Sequence, residues 1–398
     1  MAQIRGDSLV FERLRGQLLD DEDDGEPIRP GFWRRPAVRR TRRIVLVALL
    51  VFLVVVGWSI GGALTAPGTD STAARLAEWG RDHGLNGIIT WLETQQYEHN
   101  QPKIGGAPSG GIPNAAGSVG GGGGGGPAPL TVLAGGAPLP NEGQWQTVVS
   151  VKGAPAVRVA ALRPDAQHTS FMAGVMWIDP TLVRGQLQPG FKDPGGSWQA
   201  ADQITTATQG SVVAAFNAGF RLNASAGGYF SEGRTVVPLQ NGAASLVIDR
   251  NGVASVGSWN QEVGMSSNVA SVRQNLAMLV DNGKVSPSCG SGTTVWGATI
   301  GNAAFIDRSA FGITAGGAEV YVGGPALDVC TLGRILQDAG VVRGMELDIN
   351  PDWVSGVYFH DQSNGKPEGF RLYPTQKVLP DHYLAPSSRD WFGWYARA

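Results

Sequence analysis

The sequence predicts a strand-rich, mixed α/β outer domain of the α+β class, preceded by a single transmembrane helix. Three observations support this fold class. One uncharged apolar segment, long enough to cross a bilayer, lies near the amino end of the 398-residue chain. Beyond residue 140, short apolar and β-branched runs are separated by Gly, Pro and Asn. One amphipathic helical segment interrupts these runs, and about 250 residues are enough to bury a full core.

The composition excludes several classes of protein. The formal net charge of -2 gives no sign of a nucleic-acid partner. The sequence contains no CxxC, no HExxH and no convergent set of His and Cys, so we predict neither a metal nor a cofactor. It also has no Gly-x-Ser-x-Gly and no P-loop, which argues against a serine hydrolase or a nucleotide hydrolase.

The amino end predicts a membrane anchor. Residues 1–43 are polar and charged, typical of a disordered tail, and they end in an arginine-rich run. The apolar segment 44–64 spans the hydrocarbon core at about 1.5 Å per residue. Arginines on its amino side place the amino terminus in the cytoplasm and the carboxyl domain outside the cell. A cleaved signal peptide is the alternative, but the apolar run is too long and starts too late.

Two segments connect the anchor to the outer domain. Residues 65–104 show mixed helical spacing broken by glycines, which predicts a juxtamembrane helical stalk, either plain or lying on the membrane surface. Residues 105–135 are rich in Gly and Pro, with seven consecutive glycines from Gly120 to Gly126. Such a composition predicts a flexible linker. The outer domain then occupies residues 140–398.

The outer domain is predicted to contain many short strands and one clear helix. Asn251-Gly252 and Asn282-Gly283 are typical hairpin turns. The helix runs from Leu327 to Ala339, with Gly340 past its end. The predicted strands are Thr147–Val151, Val157–Leu162, Phe171–Ile178, Ser211–Phe216, Ala244–Ile248, Val253–Val256, Leu276–Val280, Ala303–Ile306, Ala318–Val322, Val341–Ile349 and Val354–Phe359.

Cys289 and Cys330 are the two cysteines of the chain, and both follow the anchor. An oxidising compartment favours a disulfide between them. Two buried free thiols are the alternative.

The end of the strand Val341–Ile349 carries the candidate chemistry. Side chains alternate along a strand, so Glu346 and Asp348 are predicted to share one face, with Asn350 on the same side. Two acids and an amide that leave a strand together can serve hydrolysis. The alternative is a solvated strand edge without a chemical role.

Three segments of the chain carry a family resemblance, in this order: Val212–Phe220 with Gly227-Gly228 and Glu232-Gly233, Asp307–Ile313 with Val320–Val322, and Leu327–Gly340 with Leu347-Asp348. Together they resemble the phosphodiester glycosidase family, which has a strand ending in Asn-Gly/Ala-Gly-Phe-Phe, an Arg-Thr-Ala-Ile-Gly strand, and a helix followed by Leu-Asp-Gly-Gly-Gly-Ser. Here Ile349–Trp353 replaces the glycine run and Phe220-Arg221 replaces the Phe pair. Pro351 also removes one backbone donor, which changes how the loop could meet a ligand.

The resemblance implies cleavage of the bond between a sugar's anomeric carbon and a phosphodiester oxygen. A phosphomonoester is a good leaving group, because its second pKa is about 6. Asp348 would be the nucleophile or general base, and Glu346 would orient Asp348 or a water. Arg308 would bind the phosphate by paired N–H donors. The remaining substrate-binding residues implied by the resemblance are Asn217, Gly219, Gly228 and Asn350.

Plainer interpretations of these residues stay open. Arg308 could pair with Asp307 or another surface acid, and Asn217 could be only a turn residue. Asp352 could be a turn former or the second acid. Three tryptophans could stack on sugars or belong to the core; they are Trp259, Trp296 and Trp353.

The favoured hypothesis is a membrane-anchored extracellular hydrolase that cleaves a sugar-1-phosphodiester in an envelope glycopolymer or glycoconjugate. One alternative is a non-catalytic protein that binds envelope polysaccharide and has kept the fold without the glycine run. Another is an envelope scaffold whose outer domain binds protein.

Overall fold

The computed structural model describes residues 36–118, 126–225, 227–361 and 365–398. The chain divides into two compact units, and the boundary falls between Gly62 and Ala63 in the sequence. The predicted tail, up to residue 35, and nearly all of the glycine run lie outside the described residues. The predicted flexibility of these segments stays a prediction.

Helix α1 extends over Pro36–Leu64. Its portion Arg40–Leu64 is long and apolar enough to cross a membrane, by length and composition. Proline at the first helical position is compatible with the helix, because its missing N–H would have no partner there.

Two helices follow within the second unit. Helix α2 covers Thr72–Asp82, and its first turn is capped by Ser71, whose hydroxyl accepts from the backbone N–H of Ala74. Helix α3 covers Asn86–His99. Residues 65–104, predicted as a stalk, therefore belong to the same compact unit as the outer domain.

Eighteen strands form three sheets in the described part of the chain. The first sheet has the order β1-β2-β3-β14-β13-β15-β11-β12, the second β7-β6-β10-β8-β9, and the third β17-β16-β5-β18-β4. The strands are β1 Gln146–Val151, β2 Ala154–Leu162, β3 Ala173–Ile178, β4 Val183–Gln188, β5 Val212–Asn217, β6 Tyr229–Ser231, β7 Arg234–Val237, β8 Ala244–Asp249, β9 Ala254–Ser258, β10 Val269–Gln274, β11 Met278–Asp281, β12 Lys284–Val285, β13 Ile306–Thr314, β14 Glu319–Leu327, β15 Val341–Glu346, β16 Gly356–Asp361, β17 Pro367–Arg371 and β18 Trp391–Ala396.

Two further helices complete the outer unit: the short α4, Thr293–Trp296, and α5, Val329–Asp338. Asp328 caps α5 by accepting from the N–H of Thr331 at 2.6 Å. The buried face of α5 includes the predicted residues Leu332, Ile335 and Leu336, which pack against the eight-stranded sheet. The predicted helix is confirmed, with slightly shorter ends.

An aromatic cluster joins the sheets. The ring of Phe216 in β5 lies 4.5 Å from that of Tyr321 in β14 and 4.4 Å from that of Trp394 in β18, measured between centroids. All three side chains are buried. Because β5 and β18 pair with each other and β14 belongs to the first sheet, this cluster packs the third sheet on the first.

The predicted α+β class with an apolar amino-terminal helix is confirmed. One strand prediction was wrong, because Ala303, Ala304 and Phe305 precede β13 and do not lie in a strand. The strand predicted to end at Ile349 ends at Glu346. The structure joins Cys289 to Cys330 in α5 by a disulfide, with their Cα atoms 4.9 Å apart.

Candidate active site

Asp348 follows the end of β15 and is held there by β13. The N–H of Leu347 donates to the carbonyl of Ser309 at 2.8 Å, and the N–H of Ser309 donates to the carbonyl of Asp348 at 3.0 Å. The hydroxyl of Ser309 donates to the same Asp348 carbonyl at 2.8 Å. The backbone of Asp348 is thus fixed, although the regular strand has ended.

The carboxylate of Asp348 is buried, and both of its oxygens accept hydrogen bonds. Its Oδ1 accepts the N–H groups of Ile349 at 2.7 Å and Asn350 at 2.9 Å, and its Oδ2 lies 3.0 Å from Nη2 of Arg389. The residue is 4% exposed. Burial raises the pKa of Asp348, while Arg389 and the two N–H donors oppose this rise.

Arg389 connects Asp348 to helix α2. Its Nη1 lies 3.8 Å from Oε1 of Glu78, and its guanidinium lies 4.9 Å above the ring of Trp353. Its Nε has no hydrogen-bond partner among the described residues. Arg389 lies two residues before β18, and sequence reasoning did not identify it.

A small polar cavity lies beside Asp348. Its volume is about 10 Å³, which is about the space that one water occupies. Its lining includes five polar or charged residues: Asn217, Asp348, His382, Arg389 and Asp390. The polar walls and the size fit a single water next to the carboxylate.

A larger cleft of about 640 Å³ shares Arg389 with the small cavity. Lys192 and Arg221 add positive charge to the wall of the cleft, and Glu78 and Asp82 of α2 add negative charge. The volume falls in the range of small-molecule sites.

Glu346 and Arg308 form a buried ion pair away from both cavities. Oε1 of Glu346 lies 2.6 Å from Nη1 of Arg308, whose Nε donates to the carbonyl of Leu327 at 3.0 Å. Burial raises the pKa of Glu346 to about 7, against the opposing effect of Arg308. Neither side chain lines the water-sized cavity or the cleft. Glu346, predicted as a second catalytic acid, and Arg308, predicted to bind the phosphate, therefore pair with each other.

Asn217 lies at the end of β5 and uses all of its hydrogen-bonding capacity. Its Oδ1 accepts from the Tyr321 hydroxyl at 2.8 Å and from the N–H of Ser355 at 3.0 Å. Its Nδ2 donates to Ser309 Oγ at 2.9 Å and to the Ala218 carbonyl at 2.8 Å. Through Ser309, Asn217 helps to hold the backbone of Asp348.

The two predicted glycines allow close packing. A Cβ at Gly219 would lie 3.0 Å from Cγ of Asn275, and one at Gly228 would lie 2.6 Å from Cα of Leu239. Gly219 also lines the small cavity, whereas Gly228 donates its N–H to Gln274 at 2.9 Å.

Asn350 closes the turn after Asp348. Its Oδ1 accepts the N–H of Asp352 at 2.9 Å, and its carbonyl accepts the N–H groups of Trp353 and Val354, each at 2.9 Å. The turn keeps Trp353 next to Arg389. Trp259 and Trp296 are buried in the core.

Two buried groups behind Asp348 were also missed by sequence reasoning. Asp390 pairs with Arg273 at 2.6 Å; burial raises the pKa of Asp390, and Arg273 opposes the rise. Burial lowers the pKa of His382, whose Nδ1 lies 2.7 Å from the hydroxyl of Thr69, so this imidazole is neutral at pH 7. One available signal was the charged pair Arg389-Asp390 directly before an aromatic run.

Comparisons with known proteins show a distant likeness to solved structures. The catalytic domain of zebrafish N-acetylglucosamine-1-phosphodiester alpha-N-acetylglucosaminidase, auto-inhibited by its pro-peptide, is 17% identical with a TM-score of 0.41, over 64% of this chain and 88% of that chain. A hypothetical protein from Synechocystis is 10% identical with a TM-score of 0.33, over 62% and 63%. An exported protein from Burkholderia pseudomallei K96243 is 11% identical with a TM-score of 0.31, over 56% and 74%. No family model and no curated protein matches the chain. This likeness is one of fold only.

Proposed function

We propose that the outer domain is a hydrolase that cleaves a sugar-1-phosphodiester between the anomeric carbon and the phosphodiester oxygen. The observation that carries this proposal is the setting of Asp348. Its carboxylate is buried, fixed by two backbone N–H groups and by Arg389, and it adjoins a cavity the size of one water. Arg389 also lines the cleft that contains Lys192 and Arg221.

This arrangement supports a general-base reaction. Asp348 accepts a proton from a water in the small cavity, and the water oxygen forms a bond to the anomeric carbon. The bond from that carbon to the phosphodiester oxygen breaks, and the electron pair leaves with the phosphomonoester. Because that leaving group is a weak base, with a second pKa of about 6, positive charge near the phosphate is enough to assist its departure.

The other buried groups act as positioning residues in this proposal. Asn217 and Ser309 hold the backbone of Asp348, and the pair of Arg308 with Glu346 fixes the end of β15. The cations of the cleft then take the phosphate-binding role that the sequence suggested for Arg308, since Arg308 already pairs with Glu346 and donates to the Leu327 carbonyl.

The substrate class follows from the proposed location. We propose that α1 anchors the chain with its amino terminus in the cytoplasm, because arginines precede its apolar portion. The outer unit then faces the cell envelope, where the substrate is a glycopolymer or glycoconjugate. The disulfide between Cys289 and Cys330 fits an oxidising compartment.

Turnover by the full-length protein in detergent micelles tests the function. A UDP-sugar serves as the substrate, and the release of UDP and of reducing sugar are both measured. We expect Asp348→Asn to lower the rate about 10²- to 10⁴-fold, because the base is lost while the size of the side chain is kept.

Asp281→Asn is the matched control, because Asp281 pairs with Arg343 at a surface site. This substitution should leave the rate unchanged. The proposal fails if Asp348→Asn keeps the wild-type rate. A second variant, Glu78→Gln, removes the negative charge that lies next to Arg389. The proposal also fails if neither the wild type nor this variant releases product from sugar-1-phosphodiesters. Binding of envelope polysaccharide without turnover would favour the non-catalytic alternative.

A further inference from the structure

We propose that Arg221 and Arg389 form the binding site for the phosphate of the substrate, and that Glu78 of α2 occupies this site in the present structure. Helix α2 would then compete with the substrate. The identity of the ligand as a phosphodiester rests on the proposed function, whereas the anion site itself rests on the contacts of α2.

Two acids of α2 meet two arginines of the outer domain. Oε2 of Glu78 lies 3.3 Å from Nη1 of Arg221, and its Oε1 lies 3.8 Å from Nη1 of Arg389. Asp82, about one turn later, lies 2.7 Å from Nη2 of Arg221. Glu78 is 6% exposed and Arg389 is 8% exposed, so a carboxylate lies buried between two guanidinium groups.

The carboxylate fits this place poorly. Glu78 Oε1 and Arg389 Nε are buried, and both lack a hydrogen-bond partner in the described part of the chain. A buried charged group without hydrogen bonds is destabilising. A phosphate group offers more oxygens at tetrahedral angles, and guanidinium groups bind such oxygens in pairs. Phosphate can therefore satisfy donors that the carboxylate leaves unused.

The position of this site suits the reaction. Arg389 directs Nη2 to Asp348 and Nη1 toward Glu78. An anion in the place of the Glu78 carboxylate is therefore separated from Asp348 by one guanidinium group. The attacking water and the leaving phosphate lie on opposite faces of the anomeric carbon, so the base and the phosphate site must be several ångströms apart, and one guanidinium group provides such a separation. The adjoining cleft of about 640 Å³, with Lys192 on its wall, offers space for the rest of the phosphodiester.

Polar contacts of the segment just before α2 help to hold the helix over the site. Thr69 meets His382 Nδ1 at 2.7 Å, and the hydroxyl of Ser388 donates to Asp70 Oδ2 at 2.6 Å. Within α2 itself, Ala74, Glu78 and Gly80 are the buried residues. A helix that buries so little apolar surface can detach at low cost in free energy.

Binding of inorganic phosphate to the full-length protein in micelles tests this proposal by calorimetry. We expect Glu78→Gln to tighten phosphate binding about tenfold or more, because the competing charge is removed while the shape is kept. Glu98→Gln in α3 is the matched control, since Glu98 is exposed and hydrogen-bonds to Gln95. It should bind phosphate as the wild type does.

A second substitution identifies the site. Arg221→Gln in the Glu78→Gln background should remove the gain. Asp82→Asn, which frees one nitrogen of Arg221 from a half-exposed acid, should give a smaller gain and provides a test if Glu78→Gln folds poorly. Hydrogen exchange at the α2 amides of the wild type should rise when phosphate is added, because the ligand displaces the helix.

The outcomes separate this proposal from the proposed function. If phosphate binds Glu78→Gln no more tightly than Glu98→Gln, or if the gain survives the loss of Arg221, the anion site is wrong even where turnover is observed. If phosphate binding behaves as expected and no variant turns over a sugar-1-phosphodiester, the anion site stands and the proposed function falls.

Discussion

Two buried arginine–carboxylate pairs lie near the end of β15, and their surroundings give them different roles. Arg308 and Glu346 pair with each other and line neither cavity. The Nε of Arg308 also donates a hydrogen bond to the carbonyl of Leu327. Arg389 and Asp348 line the water-sized cavity, and Arg389 also lines the cleft. At the residue scale, contact with a water-sized cavity and with a cleft distinguishes the pair with a proposed catalytic role from the structural ion pair.

Removal of one member of the structural pair should be costly. We expect Arg308→Met to lower the free energy of unfolding by about 3–5 kcal/mol, because Glu346 then remains buried without its partner. Thermal unfolding in detergent measures the effect. The double variant Arg308→Met with Glu346→Leu should recover most of the stability, since no buried charge remains. A full loss of stability in the double variant would contradict this interpretation.

At the scale of elements, Glu319 links two sheets. It lies in β14, and its Oε2 accepts from the indole N–H of Trp394 in β18. Burial raises the pKa of Glu319 to about 8, while the hydrogen bond from Trp394 opposes the rise. The carboxyl group is therefore largely protonated in the folded protein at neutral pH.

The raised pKa of Glu319 predicts a pH dependence of stability. Between the unfolded pKa of about 4.3 and the folded pKa of about 8, the folded state keeps a proton that the unfolded state has lost. Stability should thus be highest below this window and fall as pH rises through it, by about 1.4 kcal/mol per unit of pKa difference. Unfolding followed from pH 5 to 8 should show a shallower decline in Glu319→Gln than in the wild type. Equal slopes would contradict the prediction.

Elements with one-sided burial could be predicted from the sequence. Helix α5 was recognised because Leu332, Ile335 and Leu336 recur at helical spacing. Strand β18 was missed because Trp391 to Tyr395 are all buried, so no alternation marks it. A similar reason explains why the burial of Glu346 was not predicted. Strand β15 lies inside its sheet, between β13 and β11, and alternation along a strand does not show whether a face lines a cleft or the core.

At the scale of the whole molecule, the partner of Asp348 could not be predicted. Arg389 is 41 residues away in sequence and Glu78 lies in α2, which follows α1 along the chain, so only the tertiary fold brings them together. The sequence pointed to Asp348 as a candidate catalytic acid, and this role stays a prediction. It could not predict that residues 65–104 belong to the compact outer unit, because helical spacing with glycines does not say what a helix packs against.

The orientation of the anchor gives a prediction for the entire chain. In intact cells, a maleimide reagent that cannot cross membranes should label Gly210→Cys, an exposed position of the outer unit. Ala2→Cys should be labelled only after lysis, because the arginine-rich flank keeps the amino terminus inside. The reverse pattern would overturn the orientation and would place the proposed site in the cytoplasm.

The contact of Glu78 with Arg221 and Arg389 has a consequence for dosage. An inhibitor and its target on one polypeptide are always present at a ratio of one to one, whatever the level of expression. Dilution does not relieve such inhibition, because both groups lie on one chain and their effective concentration does not depend on the concentration of the protein. The rate of hydrolysis per molecule would then depend on the local concentration of ligand, or on cleavage of the chain after Glu78, and not on the number of copies of the protein.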